Sequence, residues 1–484
     1  MSSGLGTDLL ARLARATSRG AGSAGEIVAV VAPAPVVPAA RLVAASASAL
    51  PIVLFQAPRR EGEEPLEVAG FGEAARVEGS GPGCLPSVTG AARRIFASLR
   101  EERDADAGGA PGPRFVGGLS FQTESPRKEP WSAFADASFT LPRWLYVARA
   151  GEAWLWLLVH TGDLAPERST IEAELVSIEA ALGAATRPSS PLPPRGAGEG
   201  ARIEGTSREA FCSLVREALA AIRARELDKV VPVAARRLSP ARPLDARAAI
   251  ARIAEAYAET TRFAVQRGDR VFLGASPERL VSRHGRVVST DGLAGTTRRG
   301  EDDAALVRAL LASPKERREH ALVVEAIASA LGPRCASLDV PEGPTIRSLP
   351  NVHHLWTPIR GALRDDTHVL SLVEALHPTP AVSGAPRERA KAWIAAHEPH
   401  ARGWYTGAVG WFDAAGDGDF VVAIRAGLVS PDEAWLYAGA GIVEGSDPPA
   451  EYAEIRAKQA PMLAALGFGD IAADPDLQAS NGLP

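Results

Sequence analysis

The chain has 484 residues, of which 46% are hydrophobic and 23% are charged, so it can bury a large core. Its formal net charge of -5 excludes a global positive field that would attract nucleic acid or an anionic membrane. We therefore expect neither as a partner, and local cations must bind any anionic ligand. The three cysteines lie far apart, form neither a disulfide framework nor a zinc motif, and fit a reducing cytoplasm.

The first 20 residues fit two interpretations. Their three arginines and several serines are typical of a transit peptide, but three leucines between residues 9 and 13 fit one face of an amphipathic helix. We favour the helix, with Thr7 or Asp8 as its N-cap. Residues 27–55 are apolar but contain four prolines, which favours strands and turns over a membrane-spanning helix.

The chain divides into three predicted regions. Apolar segments alternate with Gly/Pro-rich turns up to about residue 185, which predicts antiparallel strands at, for example, 114–121 and 153–159. The stretch 187–205 is rich in Pro, Gly and Ser and predicts a linker. We therefore expect an N-terminal subdomain over 1–205, a catalytic region over 206–470 and a disordered tail over 471–484.

After the linker, helices and strands follow one another without a regular βαβ rhythm, which favours a mixed α+β architecture. A helix with Ser207 as its N-cap is predicted over 207–225. The other predictions are strands at 229–235, 270–274, 286–289, 420–428 and 434–438, and helices at 302–311, 316–331 and 451–466.

Two of these helices carry glutamates that share a face. Glu316 and Glu319 lie three residues apart, and in the last helix Glu451 and Glu454 do the same. Lys458 continues the second face one turn later. Such faces are more often solvated and salt-bridged than functional. Because magnesium prefers oxygen ligands, one glutamate from each helix is nevertheless a plausible metal site.

Three further features could carry chemistry. Lys229 enters an apolar strand and could act as a base, although a lysine that extends out of a sheet is the simpler interpretation. Glu278 follows a strand and a turn and could project into a cleft, or lie on the surface. The glycine-rich stretch 439–445 could bring backbone N–H groups to an anion, or form an ordinary turn. Four histidines match no zinc-ligand pattern and are assigned to structure: His353, His354, His397 and His400.

Ten segments follow one another in a fixed order over residues 227–458: LDKVV, GASPERL, TDGLAGTTRRG, KERREH, HLWTPIRG, LHPTPAVSG, WYTGAVGW, VVAIRAG, YAGAGIVEGSDP and EYAEIRAK. In this order they resemble the chorismate-binding enzymes, which include isochorismate synthase, salicylate synthase, the anthranilate synthase large subunit and aminodeoxychorismate synthase. The resemblance implies an α+β fold like that of the anthranilate synthase large subunit, a large single catalytic unit of packed antiparallel sheets flanked by helices. It also implies chorismate as substrate and Mg²⁺ as cofactor.

The resemblance assigns catalytic and metal-binding roles to residues of this chain. Lys229 matches the general base that activates water for attack on ring carbon 2 of chorismate, and Glu278 matches the acid that protonates the departing C4 hydroxyl. The magnesium ligands are Glu319 and Glu454, with Glu316 and Glu451 beside them as water-mediated supporters. The substrate-binding positions are Gly295, Thr296, His377, Tyr405, Arg425, Gly439, Gly441 and Lys458.

Within the family, residues 377–384 and Ile424 before Arg425 look more like the isochorismate branch, and two further positions disfavour the aminating branches. Lys229 resembles the water-using enzymes, whereas the anthranilate branch has Gln there and uses ammonia. Ala294 stands where aminodeoxychorismate synthases have a nucleophilic Lys. Salicylate synthase, which also eliminates pyruvate, is the alternative, and a catalytically silent chorismate-binding subunit is a third interpretation. No obligate partner subunit is expected, and the product would enter menaquinone or siderophore synthesis, with a slight preference for menaquinone.

Overall fold

The computed structural model describes residues 4–18, 26–47, 49–60, 63–123, 129–163, 167–187, 201–350 and 352–469. Most of the predicted linker (188–200) and the predicted tail (471–484) lie outside the described residues. The helices are α1 (Leu5–Ser18), α2 (Ala39–Ala45), α3 (Cys84–Ala97), α4 (Arg168–Ala185), α5 (Arg208–Arg223), α6 (Ala246–Ala256), α7 (Asp303–Ala312), α8 (Pro314–Leu331), α9 (Val369–Leu376), α10 (Arg387–His397) and α11 (Pro448–Ala465). No helix in these ranges is long and apolar enough to cross a membrane.

The strands outnumber the helices: β1 (Ile27–Pro33), β2 (Ile52–Gln56), β3 (Leu66–Phe71), β4 (Ala75–Gly79), β5 (Leu99–Glu102), β6 (Arg114–Leu119), β7 (Ala137–Leu141), β8 (Trp144–Arg149), β9 (Glu152–His160), β10 (Arg202–Gly205), β11 (Lys229–Val230), β12 (Val233–Ser239), β13 (Thr261–Arg267), β14 (Arg270–Ser276), β15 (Arg279–His284), β16 (Val287–Arg298), β17 (Cys335–Asp339), β18 (Thr345–Ser348), β19 (Val352–Leu363), β20 (Gly384–Ala385), β21 (Ala408–Asp413), β22 (Gly418–Val422), β23 (Ala426–Val429) and β24 (Ala434–Gly439).

Two large sheets and one small one contain these strands. The first sheet has twelve strands in the order β10-β12-β24-β23-β14-β13-β2-β3-β8-β9-β1-β5, and only its last pair is parallel. The second is antiparallel, in the order β17-β19-β16-β15-β22-β21-β6-β7-β4, with β18 also paired to β19. The strands β11 and β20 form a separate antiparallel pair. Helices cover these sheets, which confirms the predicted α+β fold of packed antiparallel sheets.

Side-chain alternation along the strands builds the core in layers. In β1, Ile27, Ala29 and Val31 belong to the apolar cluster that also contains the second sheet, whereas the intervening residues belong to a cluster with α1, α2, α4 and α6. The first sheet is therefore buried on both faces. A third cluster joins α5, α10 and α11 to β11 and the end of β24.

The predicted boundary near residue 205 stays a proposal. Strands from both sides of that position are present in both large sheets, and β13 pairs directly with β2. The strand β10 lies at the end of the predicted linker and pairs with β12 as the edge of the first sheet.

Of the two helix N-caps predicted from the sequence, one is present in the structure and one is not. Ser207 caps α5 as predicted, and its hydroxyl accepts a hydrogen bond from the Ala210 N–H at 3.1 Å. The predicted cap of α1 is wrong, because this helix begins at Leu5 and the Asp8 N–H already donates to the Gly4 carbonyl at 2.9 Å. Asp8 instead pairs with Arg12 one turn later, at 2.7 Å.

Two predicted strands are each divided, and both breaks lie at the site described next. The predicted strand 229–235 becomes β11 and β12, with a break at Pro232, which has no N–H for a ladder. The predicted strand 420–428 becomes β22 and β23, because Arg425 takes a left-handed conformation with φ of 51°.

Candidate active site

An open pocket of about 600 Å³ lies where the small β11–β20 pair meets the end of β24, the middle of β16 and helices α8 and α11. Ten of its lining residues were singled out by sequence: Glu278, Gly295, Thr296, Glu319, Tyr405, Arg425, Gly439, Gly441, Glu454 and Lys458. The remaining lining residues are Val231, Pro277, Leu293, Ala294, His354, Ala381, Val382, Thr406 and Ile424.

Lys229 is fully buried at the edge of this pocket. Its Nζ donates to Oε1 of Glu319 at 2.8 Å, and the Glu319 side chain is 13% exposed. The next residue, Val230, exchanges backbone hydrogen bonds with Ile442, so β11 is attached to the glycine-rich stretch 439–445. A Cβ on Gly441 would lie 2.2 Å from Glu319 Oε1, so a side chain here would displace the Glu319 carboxylate from its position on Lys229.

Glu278 lies between β14 and β15 and is buried. Its backbone N–H donates to the Ser276 hydroxyl at 3.2 Å, and its carbonyl accepts from the Val422 N–H at 3.1 Å. Burial, followed by the like charge of Asp291, raises the pKa of the Glu278 carboxyl to about 8, although nearby cations oppose the shift. At neutral pH this carboxyl is therefore largely protonated and can give up a proton.

Glu316 and Glu319 of α8 and Glu451 and Glu454 of α11 form one acidic cluster. Burial, and then the charge of Glu319, raises the pKa of Glu316, and burial together with Glu454 raises that of Glu451. Lys315 bridges the two helices, with its Nζ 2.9 Å from Glu451 Oε1 and 3.5 Å from Glu316 Oε1. The four carboxyl groups therefore share a field that a cation would stabilise.

Among the described residues, no group of three or more His, Cys, Asp and Glu side chains is arranged to hold a metal ion. Glu319 and Glu454, however, reach the same pocket from different helices. Two carboxylates in an open pocket suit magnesium, which usually takes few protein ligands and completes its shell with water and substrate. The donor set therefore fits an open magnesium site.

Lys458 brings positive charge to the other end of the acidic cluster. Its Nζ donates to the Gly439 carbonyl at 2.8 Å and forms an ion pair with Glu454 on the same helix face. Although burial raises the pKa of Glu454, Lys458 and, to a smaller extent, Lys315 and Arg425 together bring the pKa below its ordinary value. Glu454 is thus held as a carboxylate.

Arg425 and Tyr405 lie on the wall of the pocket that adjoins the second sheet. The left-handed backbone of Arg425 lets its carbonyl accept from the Ala275 N–H at 3.1 Å. Burial lowers the pKa of the guanidinium, which still carries its charge at neutral pH. Burial also raises the pKa of Tyr405 to about 12, and the ring stacks on Tyr437 with centroids 5.1 Å apart.

Gly295 and Thr296 lie at a bulge in β16. The register with β19 shifts between Ala294 and Thr296, and Gly295 has a φ of 79°, which glycine tolerates. The Thr296 N–H donates to Glu316 Oε2 at 2.9 Å, so the bulge fixes a carboxylate of the acidic cluster.

The predicted site residues outside the pocket lining lie at different distances from it. Lys229 donates directly to the lining residue Glu319. Glu316 accepts a hydrogen bond from the N–H of the lining residue Thr296, and Glu451 lies further back, paired with Lys315.

His377 is placed elsewhere, against the carbonyls of Ser120 and Phe121 at 3.2 and 3.3 Å. Burial lowers its pKa to about 4, so the ring is neutral and its position favours a structural role over the predicted substrate contact.

His354 is a site residue that the sequence interpretation assigned to structure. It lines the pocket, and its Nδ1 is 2.9 Å from the Thr296 hydroxyl. Its Nε2 is buried without a hydrogen-bond partner, and burial holds its pKa well below the ordinary value. The ring therefore offers a neutral polar atom to a ligand. Thr296 and His354 are 58 residues apart, and only the β16–β19 register shows that they are neighbours.

The chorismate binding enzyme family matches residues 15–467. The chain is 39% identical over 394 residues to the salicylate biosynthesis isochorismate synthase of Pseudomonas aeruginosa, covering 79% of this chain and 82% of that one. The structure of MenF, the menaquinone-specific isochorismate synthase from Escherichia coli, is similar with a TM-score of 0.71 and 28% identity, covering 95% and 99% of the two chains. Anthranilate synthase component I from Streptococcus pneumoniae shares the fold, with a TM-score of 0.65, 21% identity and coverage of 84% and 93%.

The protein therefore belongs to the family of chorismate binding enzymes. The relatives also confirm the predicted likeness to the anthranilate synthase fold.

Proposed function

We propose that the protein is an isochorismate synthase, which converts chorismate to isochorismate. The observation that carries the proposal is a largely protonated Glu278 in the pocket lining together with a buried Lys229 at the pocket's edge, where its Nζ donates to Glu319 of the acidic cluster. A base and an acid are what addition of water at one ring carbon and loss of hydroxide from another require. The names of the Pseudomonas and Escherichia relatives support the same reaction.

In the proposed reaction, the Lys229 amine takes a proton from the water that attacks ring carbon 2. The Glu278 carboxyl gives its proton to the C4 hydroxyl, which leaves as water. One water is consumed and one released, so the reaction is an isomerisation. The buried position of both groups excludes bulk water from competing for their protons.

Cations of this chain account for binding of the dianionic substrate. Lys458 and Arg425 line the pocket as cations, and Tyr405 adds a phenol hydroxyl on the wall beside Arg425. Glu319 and Glu454 would hold Mg²⁺, with Glu316 and Glu451 behind them. When bound, the ion would neutralise the ring carboxylate, which these glutamates would otherwise repel.

The product assay tests the reaction directly. Purified protein is incubated with chorismate and magnesium, and isochorismate, salicylate and pyruvate are separated by chromatography. We expect isochorismate without pyruvate, and loss of turnover after chelation with recovery on adding magnesium back. Salicylate with equimolar pyruvate would instead establish the salicylate synthase alternative, and binding without turnover would establish a silent subunit.

A substitution of the base separates this chain from the aminating branch. Lys229→Gln should still bind chorismate but lose isochorismate formation, because water is a poor nucleophile without a base. A folded Lys229→Gln protein with unchanged isochorismate production would overturn the assignment.

For the pathway, we propose menaquinone synthesis, which the match over 95% of this chain to the menaquinone-specific enzyme supports.

A further inference from the structure

A buried ion pair lies behind the pocket wall formed by Val231, Val382 and Thr406. Arg402 and Glu398 have side chains that are only 3% and 5% exposed, and they pair through two parallel hydrogen bonds from Nε and Nη2 to the two carboxylate oxygens. Neither residue lines the pocket or has a role in the reaction proposed above. A charged pair that is removed from water this completely is retained only where its hydrogen bonds are well satisfied.

The remaining donors of Arg402 all reach backbone or hydroxyl groups of the pocket wall. Its Nη2 donates to the Val231 carbonyl at 2.6 Å, and its Nη1 donates to the Val382 carbonyl at 2.8 Å and to the Thr406 hydroxyl at 3.3 Å. These three acceptors belong to residues that line the pocket. With the two bonds to Glu398, five acceptors satisfy the five N–H groups of one guanidinium.

Glu398 extends the same arrangement to β12, the strand that follows the one carrying Lys229. Its Oε1 accepts from the Val233 N–H at 2.9 Å. The pair therefore holds the chain on both sides of Pro232, at Val231 and Val233, in the break between β11 and β12. Lys229 is two residues before Val231, in the strand that leads directly into this anchored break.

We propose that Arg402, with Glu398, is a positioning residue that sets the place of the base Lys229 relative to the substrate. The proposal rests on the isochorismate synthase activity proposed above. The Arg402–Glu398 pair joins three segments that line the pocket: the β11–β12 break, the loop at Val382 and the turn at Thr406. The first two also meet through the Val231 N–H, which donates to the Ser383 carbonyl at 3.0 Å. Misplacement of a reacting group by about 1 Å can cost about 100-fold in rate, so anchoring of this kind affects turnover directly.

Substrate binding should depend much less on this pair. The cations assigned to the substrate, Lys458 and Arg425, are attached to other elements, and the acidic cluster lies on α8 and α11. Loss of the pair should therefore lower kcat while leaving the affinity for chorismate nearly unchanged. A purely structural role would lower thermal stability without this division between kcat and binding.

The test compares Arg402→Lys and Glu398→Gln with a matched control, Arg267→Lys. Arg267 is an equally buried arginine in β13 that donates to the Ser138 hydroxyl and does not line the pocket. Lysine keeps the charge but has three donors on one atom and cannot serve five separated acceptors. We expect kcat to fall about 10-fold or more in Arg402→Lys, with the Kd for chorismate changed less than about 3-fold.

Glu398→Gln keeps an oxygen that can accept from the Val233 N–H, so its kcat should lie between those of Arg402→Lys and the wild type. This variant provides a second measurement if Arg402→Lys does not fold. A kcat of both variants within about twofold of Arg267→Lys would overturn the positioning role. So would a loss of kcat/KM that arises entirely from weaker chorismate binding. Failure of the wild-type protein to form isochorismate would overturn the proposed function instead, since that result precedes any comparison of variants.

Discussion

At the scale of single residues, the protonation of Glu278 follows from its surroundings. A carboxylate is poorly solvated in a buried site, and Asp291 adds repulsion, so the pKa rises to about 8. Asp291 is itself held ionised by three arginines, and its ion pairs with Arg60 and Arg347 are 2.9 and 3.2 Å long. The negative charge of Asp291 is therefore part of what keeps the proton on Glu278.

The first prediction concerns the rate. Glu278→Gln should keep the shape of the site but remove the proton for the leaving hydroxyl, and should lower kcat about 100-fold or more with little change in chorismate affinity. Wild-type activity should fall as the pH rises through about 8, because the acid form is then lost. Isochorismate formation and equilibrium binding, each measured between pH 6 and 9, check both statements. Near-normal turnover by the variant would place the acid elsewhere.

The same residue predicts how stability depends on pH. Because the folded pKa of Glu278 is about 8 and the ordinary value is 4.5, its contribution is fully present below pH 4.5 and is lost as the pH rises to about 8. The loss is on the order of a few kcal/mol. Glu278→Gln should therefore raise Tm relative to wild type more at pH 8.5 than at pH 5. Glu444→Gln, at a 75% exposed position, is the control and should show no such difference.

At the scale of elements, the site depends on a close approach between helix α8 and the glycine-rich stretch 439–445 at the end of β24. The chain from Gly439 to Gly441 passes against the Lys229–Glu319 pair, and α11 returns Glu454 and Lys458 to the same pocket. The two helices are thus linked through side chains that meet the backbone at Gly439 and Gly441, two residues without a Cβ atom. Glycine here leaves room for the Glu319 carboxylate, which a methyl group would displace.

The third prediction is that Gly441→Ala displaces Glu319 and disconnects it from Lys229. The added Cβ would lie 2.2 Å from Glu319 Oε1 and 2.9 Å from its Cδ, so the carboxylate must move. We expect loss of most activity and weaker stabilisation by magnesium, measured as the shift of Tm on adding the ion. Gly343→Ala, where no atom lies within 4 Å of the new Cβ, is the matched control. Full activity of Gly441→Ala would contradict the role assigned to this approach.

At the scale of the whole molecule, sequence motifs singled out residues that the fold brings into or beside one pocket, while the roles assigned to them stay predictions. Ordered motifs identified Lys229, Glu278 and the glutamate pairs, because the chemistry requires those residue types at fixed local spacing. The break at Arg425 and the neighbours Thr296 and His354 could not be predicted, since they depend on strand register between distant segments. Sequence placed His377 at the substrate, whereas the fold places it against Ser120 and Phe121.

The way the two parts of the chain share their sheets leads to the last prediction. The first sheet passes from β13 to β2 through four paired residues, and the second passes from β21 to β6 through six. A hydrogen bond between two aromatic side chains also joins the two parts of the chain, since Trp131 Nε1 donates to the Tyr437 hydroxyl at 3.1 Å. Separating the parts would expose both new sheet edges and the apolar core between the sheets.

We therefore expect the described fold to unfold in one cooperative transition, despite the length of the chain and the predicted boundary near residue 205. Calorimetry should give one peak, and circular dichroism and tryptophan fluorescence should report the same midpoint. Residues 206–484 expressed alone should not bind chorismate, because β13 and β21 would each lack a partner strand. Two separated transitions, or a soluble fragment 206–484 that binds chorismate with wild-type affinity, would show instead that the catalytic region folds independently of the strands that now complete its sheets.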